Sequence, residues 1–391
     1  MSGGILKKIR SGAIASIIGI GAFSAVNIYY DKQKFYDQIL IPTIQYLDPE
    51  LSHKLTILWF KSGLVPKSQY KDTPILVNKI KHLSFRNPLG IAAGFDKNGE
   101  AVSSLENIGF GFVEVGTVTP KAQTGNDKPR VFRLLEDKAI INRYGLNNDG
   151  YEIVHTRLQK LKQNKSFNGI LGINLGPNET SENTISDYVN GITVFSDVAD
   201  YFAINVSCPN TSNLKNLKKK ENLKNLLTAV ISARNNLTIE PKPLIFLKLS
   251  PDLTKEEKND IIKILKDKMC QIDGLIISNT TVERSLNLKS SSASEPGGLS
   301  GLPLKEHSTK LIAEMFKLTK GSIPIIGVGG VFTGQDAYEK VKAGASLIQL
   351  YTSFTFHGPP LIANIKKELQ SLVNDDNYGN IAEAVGKDSK K

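Results

Sequence analysis

The chain has 391 residues, of which 40% are hydrophobic and 22% are charged, a composition typical of a globular protein. Its two cysteines, Cys208 and Cys270, are too few for a disulfide framework, so packing must hold the fold together. The net charge is +11, but the lysines are spread along the chain, and neither zinc-ligand spacing nor an RNA-binding signature accompanies them. The sequence therefore predicts a solvated basic surface and no nucleic-acid partner.

Residues 1–31 are predicted to be a presequence and a transmembrane anchor. Lys7, Lys8 and Arg10 precede an uncharged run over 11–30 that is long enough to cross a bilayer as one helix. No acidic residue occurs before Asp31, which is typical of a mitochondrial presequence. A cleaved secretory signal is the alternative, but no A-x-A-like cleavage site follows the apolar run. A buried core helix is less consistent with so many glycines and alanines.

Residues 32–70 have the pattern of two short amphipathic helices, a small membrane and quinone domain. Apolar residues recur at helical spacing in FYDQILIPTIQYL and in LSHKLTILWF, and the step from Asp48 to Pro49 separates the two. Pro42 should bend the first helix or mark its start. Two such helices after an anchor could lie on the membrane surface or pack against the main core, and the pattern alone favours neither.

Residues 71–374 alternate short apolar runs with helical patterns, and a polar C-terminal tail over 375–391 follows. Strands without a polar face are buried on both sides, so the predicted fold class is α/β, a closed parallel (β/α)8 TIM barrel. An open doubly wound sheet is the alternative. A β-hairpin inserted over 131–146 is also predicted. The strand-like runs are 89–94, 112–118, 169–176, 201–207, 243–250, 274–281, 323–330 and 345–353.

Glycines, amides, hydroxyls and two lysines follow the predicted strands at their carboxyl ends, where barrels of this type carry active sites. Histidines and paired carboxylates are missing there, so we expect neither a metal site nor a carboxylate acid–base pair. Gly329 and Gly330, with hydroxyls at Tyr351 and Thr352, suit a phosphate, because a glycine N–H can approach an anion closely. A tight strand–helix turn is the simpler interpretation of these glycines.

Several asparagines at the strand ends and on the hairpin offer an amide donor and a carbonyl acceptor in one plane. Such a set suits a planar ring with alternating N–H and C=O edges, as a pyrimidine has. Lys97 could pair with a carboxylate on that ring, and Lys248 could stabilise negative charge on a reduced cofactor ring. A single asparagine is more often a turn residue than a ligand. The set comprises Asn142, Asn205, Asn210 and Asn279.

Long ordered motifs in this chain closely resemble those of the dihydroorotate dehydrogenases. The likeness extends from about residue 35 to 370. The helical pair before the barrel is similar to that of the class 2, membrane-associated, quinone-reducing form. The motifs are AAGFDKNGE (92–100), PRVFRL (129–134), INRYGLNN (141–148), NVSCPNT (205–211), ISNTT (277–281), GGLSG (297–301), GVGGVFTGQDA (327–337) and QLYTSFTFHGPP (349–360).

The resemblance implies an FMN-containing barrel that oxidises dihydroorotate to orotate in pyrimidine synthesis. Electrons would pass to a ubiquinone-type quinone in the mitochondrial inner membrane, where a single-pass anchor holds the enzyme. The quinone path would run between the helices of 35–66, past His53 and Arg133. FMN would be held by Ala92, Ala93, Gly94, Thr117, Asn174, Asn205, Lys248, Ser278, Gly301, Gly329, Gly330, Tyr351 and Thr352. Dihydroorotate and orotate would be held by Lys97, Asn142, Arg143, Tyr144, Gly145, Leu146, Asn205, Asn210, Asn279 and Thr280.

One position departs from the class 2 pattern. Class 2 members carry a serine as catalytic base where this chain has Cys208, and a cysteine there is usual in the soluble class 1 enzymes. The expected role of Cys208 is to remove the C5 proton of dihydroorotate while hydride leaves C6 for the flavin. A cysteine suits this role, because a few per cent of a free thiol is ionised near neutral pH. Ser207 is the lesser candidate, since neighbouring strand residues point to opposite faces unless the chain turns.

Two other functions compete with this one. The first is a class 1-type enzyme that uses the cysteine base and a soluble acceptor such as fumarate, which acceptor assays would separate from a quinone-linked enzyme. The second is a membrane-tethered barrel that binds a phosphate ligand without catalysis. Protein that stays colourless after FMN is supplied would favour the second.

Overall fold

The computed structural model describes residues 2–30, 32–207, 219–284 and 287–389. Eight parallel strands close into a barrel in which each strand is hydrogen-bonded to the next one along the chain, and the last to the first. The predicted (β/α)8 barrel is therefore confirmed, and the open doubly wound sheet is wrong. The strands are β1 (Leu89–Ile91), β2 (Phe112–Val118), β3 (Ile170–Leu175), β4 (Tyr201–Asn205), β5 (Leu244–Leu249), β6 (Gly274–Ile277), β7 (Ile325–Val328) and β8 (Leu347–Leu350).

Most strand residues are apolar because helices cover the outer faces of the strands and side chains fill the barrel interior. Leucine, isoleucine and valine side chains between strands and helices form the largest hydrophobic core, and Cys270 is fully buried in it. The covering helices are Val102–Ile108, Tyr151–Gln163, Thr184–Val194, Lys220–Asn235, Lys255–Leu265, Lys305–Leu318, Gly334–Ala343, Thr352–His357 and Pro360–Asp375.

Three aromatic rings close the amino end of the barrel, and we call Phe112, Tyr201 and Phe246 the barrel floor. Their ring centroids are 6.4 Å apart between Phe112 and Tyr201, and 5.2 Å apart between Tyr201 and Phe246. Each ring lies over a glycine that is its register partner on the neighbouring strand. A Cβ on the glycine opposite Tyr201 would lie 2.0 Å from the ring. The pairs are Gly90–Phe112, Gly172–Tyr201 and Gly274–Phe246.

A three-stranded antiparallel sheet lies beside the carboxyl end of the barrel. The predicted hairpin forms it with strands Val131–Leu134 and Ala139–Asn142, and Gly298–Gly301 adds the third strand. At the other end, the short hairpin of Asn78–Ile80 and Leu83–Phe85 lies against the barrel floor, where Phe85 packs edge-on against Phe112. The antiparallel insert therefore reaches the end of the barrel where the predicted site residues lie.

The N-terminal segment begins with helix α1 (Ser2–Tyr29), whose described side chains are almost all exposed. Its Ile9–Tyr29 portion is long and apolar enough to cross a membrane. A helical stretch of three parts follows, Gln33–Phe35, a π turn at Tyr36–Leu40 and Ile41–Gln45. Pro42, which has no N–H to donate, lies in the first turn of Ile41–Gln45 and so marks the start of that helical part, as predicted. The stretch continues through it with one wide turn, in which the N–H of Ile41 donates to the carbonyl of Tyr36.

Helix α2 (Pro49–Lys61) is the second predicted amphipathic helix, and Asp48 caps it by accepting a hydrogen bond of 2.9 Å from the N–H of Leu51. One face packs on the barrel: Phe60 is buried, and its carbonyl accepts a 2.6 Å hydrogen bond from Ser104. The opposite face exposes Leu51, Leu55 and Leu58, among others. The helix therefore does both things that the sequence left open, since it contacts the core and presents an apolar face outward.

Residues 375–391, the tail that its composition makes polar, begin with the last residue of helix Pro360–Asp375. A short 3-10 helix over Ile381–Ala384 buries Ile381 and Ala384 against the barrel. Apolar contacts thus hold the described part of this polar tail against the barrel.

Candidate functional site

A cavity at the carboxyl end of the barrel brings most of the predicted site residues together. It is lined by strand ends, by the antiparallel insert, and on its outer side by residues of the stretch 36–45 and of α2. The predicted cofactor residues in its wall are Ala92, Ala93, Gly94, Thr117, Asn205, Lys248, Ser278, Gly301, Gly329, Gly330, Tyr351 and Thr352. The predicted substrate residues in its wall are Lys97, Asn142, Tyr144, Gly145, Leu146, Asn205, Asn279 and Thr280, and the predicted quinone-path residues are His53 and Arg133.

Two of the predicted cofactor- and substrate-binding residues that the structure describes are not in the wall. Asn174 lies behind it and accepts a 2.6 Å hydrogen bond from Thr117. The side chain of Arg143 points away from the cavity and forms a 2.7 Å ion pair with Glu295. Consecutive side chains of an extended chain point to opposite sides, and Asn142 at the end of the hairpin points into the cavity. The next side chain, that of Arg143, therefore points the other way. Arg143 is therefore not placed to contact a ligand in the cavity.

Cys208 and Asn210 lie outside the described residues. Ser207, the last described residue before them, is buried and comes after the end of β4. Its Oγ is 3.2 Å from Oδ1 of Asn205 and accepts a 3.0 Å hydrogen bond from Asn279. The Ser207 hydroxyl is thus held by asparagines of the cavity wall without being in the wall itself.

The turn after β7 requires glycine for two reasons, the space available and the backbone conformation. Gly330 has a φ of +69°, and a Cβ there would lie 2.5 Å from the backbone of Lys305, at the start of helix Lys305–Leu318. Only glycine fits both requirements. The helix Gly334–Ala343 follows at once, with a capping box formed by Thr333 and Asp336. Gly329 and Gly330 line the cavity together with Thr352, and glycine backbone N–H groups beside a hydroxyl are chemically suited to an anion.

A row of amides and hydroxyls crosses the ends of the middle strands. Asn205 donates to Thr117 over 3.1 Å and accepts from Asn279 over 3.3 Å. Asn205 is buried, and so is Asn174 behind Thr117. Each amide is thereby fixed in one orientation, which rigid recognition of a planar ring requires.

On the insert side, Tyr144 is nearly buried between two cations. The Lys97 ammonium lies 4.1 Å from the ring centroid and the Arg130 guanidinium 5.3 Å from it. Burial raises the pKa of the Tyr144 phenol well above its usual range, so this side chain stays neutral. A cation over an aromatic face keeps its charge available to an anion on its other side. Lys97 is in that position in the cavity wall.

At the outer end of the cavity, Arg133 ties the helical segments to the insert. It donates to the carbonyls of Gln45 and Leu47 over 3.1 and 2.8 Å and to the Ser52 hydroxyl over 2.7 Å. Partial burial lowers its pKa from the ordinary arginine value without neutralising it. The positive charge therefore remains beside the opening between the helices.

His53 on α2 faces the same opening. Its Nε2 is 2.7 Å from the carbonyl oxygen of Phe95, and since a carbonyl can only accept, Nε2 carries the proton in the neutral ring. Burial, and then the positive charge of Lys97, lower the His53 pKa to about 4. The ring is therefore a neutral hydrogen-bond donor at physiological pH.

This shift predicts a measurable pH dependence of stability. Between pH 6.5 and 4 the unfolded chain takes up a proton at His53 that the folded chain refuses, so acid favours unfolding. We expect the wild type to lose on the order of 1–2 kcal/mol more than His53→Gln between about pH 7.5 and 5. Urea unfolding of both full-length proteins in detergent measures this difference. Parallel losses in the two proteins would show that His53 titrates normally.

Sequence reasoning missed Glu114 beneath the cavity, Gln349 in its wall and one ion pair beside it. Glu114 and Gln349 are polar residues inside otherwise apolar strands, β2 and β8, and both are almost fully buried. Glu50 of α2 forms a buried pair with Arg130, its two oxygens 2.9 and 3.1 Å from the guanidinium nitrogens. The charged residue in the run FVEVGTV was the available signal for Glu114. Nothing local signals the pair, whose members are far apart in sequence.

Comparison with known proteins agrees with this geometry. Residues 75–373 match the family description "Dihydroorotate dehydrogenase". The chain belongs to the dihydroorotate dehydrogenase family. A mouse relative named "Dihydroorotate dehydrogenase (quinone), mitochondrial" is 46% identical over 98% of this chain and 99% of its own length. A relative from Rhodospirillum rubrum named "Dihydroorotate dehydrogenase (quinone)" is 45% identical over 89% of this chain and 94% of its own.

A solved structure of the dihydroorotate dehydrogenase of Eimeria tenella in complex with ferulenol has the same fold, with a TM-score of 0.84. It is 41% identical and covers 88% of this chain and 96% of its own. The predicted family is thereby confirmed, and with it membership in a family of oxidoreductases whose relatives here are named for quinone.

Proposed function

We propose that this protein oxidises dihydroorotate to orotate with bound FMN and passes the electrons to a membrane quinone. The observation that carries the proposal is the continuity of one cavity. It extends from the strand ends of the barrel, where Lys248 lies, to the opening between the N-terminal helices, where His53 and Arg133 lie. A substrate site and an acceptor path can therefore share one redox group. The names of the relatives support the substrate and the acceptor.

The residues of the cavity fit FMN. The glycine turn at 329–330 and the hydroxyl of Thr352 would hold the phosphate. Thr117, Asn205 and Lys248 would hold the ring system, and the lysine cation suits a ring that becomes negative on reduction. When bound, FMN accepts the hydride that leaves C6 of dihydroorotate and passes electrons to the quinone.

The chain itself binds the substrate and removes a proton from it. Lys97 pairs with the substrate carboxylate, and Asn142, Asn205 and Asn279 hold the edges of the pyrimidine ring. Cys208 acts as the base at C5, and Ser207 is the lesser candidate because asparagines hold its hydroxyl. Asn210 completes the ring contacts. Pyrimidine synthesis is the biological setting that this reaction serves.

The acceptor side uses the N-terminal helices. Leu51, Leu55 and Leu58 on the outer face of α2, together with α1, would contact the membrane. A quinone would enter between the helices and pass His53, a neutral donor, and Arg133, a cation. We place the enzyme in the mitochondrial inner membrane with α1 as a single-pass anchor.

The test is spectroscopic. Full-length protein in detergent should be yellow, should bleach when dihydroorotate is added without oxygen, and should recover its colour with a short-chain ubiquinone faster than with fumarate. Protein that takes up no FMN would contradict the proposal. Preferential recovery with fumarate would favour the class 1-type alternative.

We expect that deleting residues 2–30 will impair the use of a quinone in a membrane but not the oxidation of dihydroorotate. Since the described side chains of α1 are almost all exposed, the truncated protein should be as stable as the full chain and be reduced by dihydroorotate at the same rate. Turnover with a long-chain quinone in lipid vesicles should fall, while turnover with a short-chain quinone in detergent should not. Equal vesicle turnover by both proteins would mean that α1 is not the anchor.

A further inference from the structure

Glu114 on β2 is a carboxylate inside the barrel with no solvent exposure, one layer above the barrel floor. Asn174 approaches its Oε1 at 2.8 Å, and Tyr201 and Gln349 approach its Oε2 at 3.0 and 2.6 Å. Lys248 is 3.5 Å from Oε1. Every one of these contacts comes from a donor group, an arrangement that suits an ionised carboxylate.

Glu114 is also the electrostatic partner of Lys248. The lysine side chain is 6% exposed, and within the described ranges its ion pair is with Glu114. A buried cation and a buried anion stabilise each other strongly in a low-dielectric interior. Lys248 lines the cavity, whereas Glu114 lies beneath it. A ligand ring in the cavity therefore faces the Lys248 cation, whose electrostatic effect is reduced by the Glu114 carboxylate beneath it.

Gln349 indicates that this cluster is built toward a ligand. Its side-chain nitrogen donates to Glu114, while its Oε1, though buried, has no hydrogen-bond partner among the residues that the structure describes. Gln349 lines the cavity. A buried acceptor without a donor is costly, so a bound ligand that donates to it would relieve that cost.

We propose that Glu114 is a positioning residue that orients Lys248 and Gln349 and, by offsetting the lysine charge, sets the reduction potential of the flavin. This inference rests on the proposed function. A cation beside a ring stabilises the negative charge of the reduced form, and a carboxylate close behind that cation weakens the effect. Glu114 thus keeps the reduced flavin from becoming too stable to give up its electrons.

The test is the midpoint potential of the bound flavin in Glu114→Gln. Replacing the carboxylate by an amide leaves Lys248 unopposed, so we expect the equilibrium ratio of reduced to oxidised flavin to rise about tenfold or more. For a two-electron couple that is a shift of about +30 mV. Tyr201→Phe is a milder second variant that removes one donor from the carboxylate. Its potential should move in the opposite direction, because the carboxylate charge is then less compensated.

Asp273→Asn is the matched control. Asp273 is also a buried carboxylate, paired with Arg234 at 3.0 Å, but it lies at the amino end of the barrel just before β6. The Asp273→Asn substitution should lower the stability of the protein and leave the midpoint potential of the flavin unchanged. A Glu114→Gln protein that behaves in the same way would overturn the inference. If that variant cannot hold flavin, an unchanged potential in Tyr201→Phe would overturn it.

The wild type separates this inference from the proposed function. Wild-type protein that binds no FMN, or that dihydroorotate does not reduce, contradicts the proposed function. Normal wild-type behaviour with wild-type potentials in Glu114→Gln and Tyr201→Phe contradicts only the role of Glu114.

Discussion

Cys208→Ala is expected to slow flavin reduction by dihydroorotate about 10²–10⁴-fold, the contribution of a positioned general base. The variant should still be yellow and should still bind orotate, because the amides and lysines of the cavity remain. In the wild type, the rate of flavin reduction at saturating substrate should rise with pH over the range in which a thiol ionises, near about 8.5 for an ordinary cysteine. Stopped-flow absorbance measures both effects.

Three comparisons make this prediction specific to the thiol. Cys208→Ser should fall between the wild type and Cys208→Ala, with its pH dependence moved upward because a hydroxyl is the weaker acid. Orotate should protect Cys208 from iodoacetamide but not change the reaction of Cys270, which is buried in the core. Ser207→Ala is the control. If it abolishes flavin reduction while Cys208→Ala does not, the base is the serine.

Glu50→Ala is expected to lower the free energy of unfolding by about 3–5 kcal/mol, the cost of leaving a buried charge unpaired. Arg130, 8% exposed at its side chain, would lose its bidentate partner. Burial acts to raise the Glu50 pKa, but Arg130 and Lys128 outweigh it and hold that pKa below its ordinary value of 4.5. The contribution of the pair is therefore fully present above about pH 4.5 and is lost as the pH falls through the folded pKa.

Urea unfolding of full-length variants tests this. Lys54→Ala is the matched control, since Lys54 is 65% exposed at its side chain and lies 3.8 Å from Glu50, so its removal should cost about 0–1 kcal/mol. The double variant Glu50→Leu/Arg130→Met should recover part of the loss, because two apolar side chains replace the charges. Recovery should be incomplete, since Arg130 also donates to the carbonyls of Thr124 and Asn126. A loss in Glu50→Ala no larger than that in Lys54→Ala would contradict the prediction.

The barrel could be predicted from the sequence because its strands are buried on both faces and therefore read as continuous apolar runs. The same rule located the cavity, since residues that follow strands in a closed parallel barrel meet at one end. Lys248 and Gly329 were found in this way.

What could not be predicted depends on directions and partners that spacing does not encode. Arg143 follows Asn142 along the hairpin, but only the three-dimensional course of the insert shows that Glu295 draws it away from the cavity. The π turn before Pro42 is a local change of helix geometry that leaves no recognisable mark in the amphipathic pattern of the sequence. Glu50 reads as an exposed first-turn acid of a helix until Arg130 is seen beside it.

In the barrel floor, the tolerance of each glycine to substitution depends on the aromatic residue that lies over it. Because Gly172 has no side chain, Tyr201 can lie across it, and the same holds for Gly90 beneath Phe112. A side chain on the glycine is tolerable only if the ring on the next strand shrinks, and a smaller ring alone leaves a void. Each glycine and the ring that lies over it are therefore expected to change together in evolution or engineering. Scans that replace one residue at a time will underestimate the range of sequences that the barrel floor can accept.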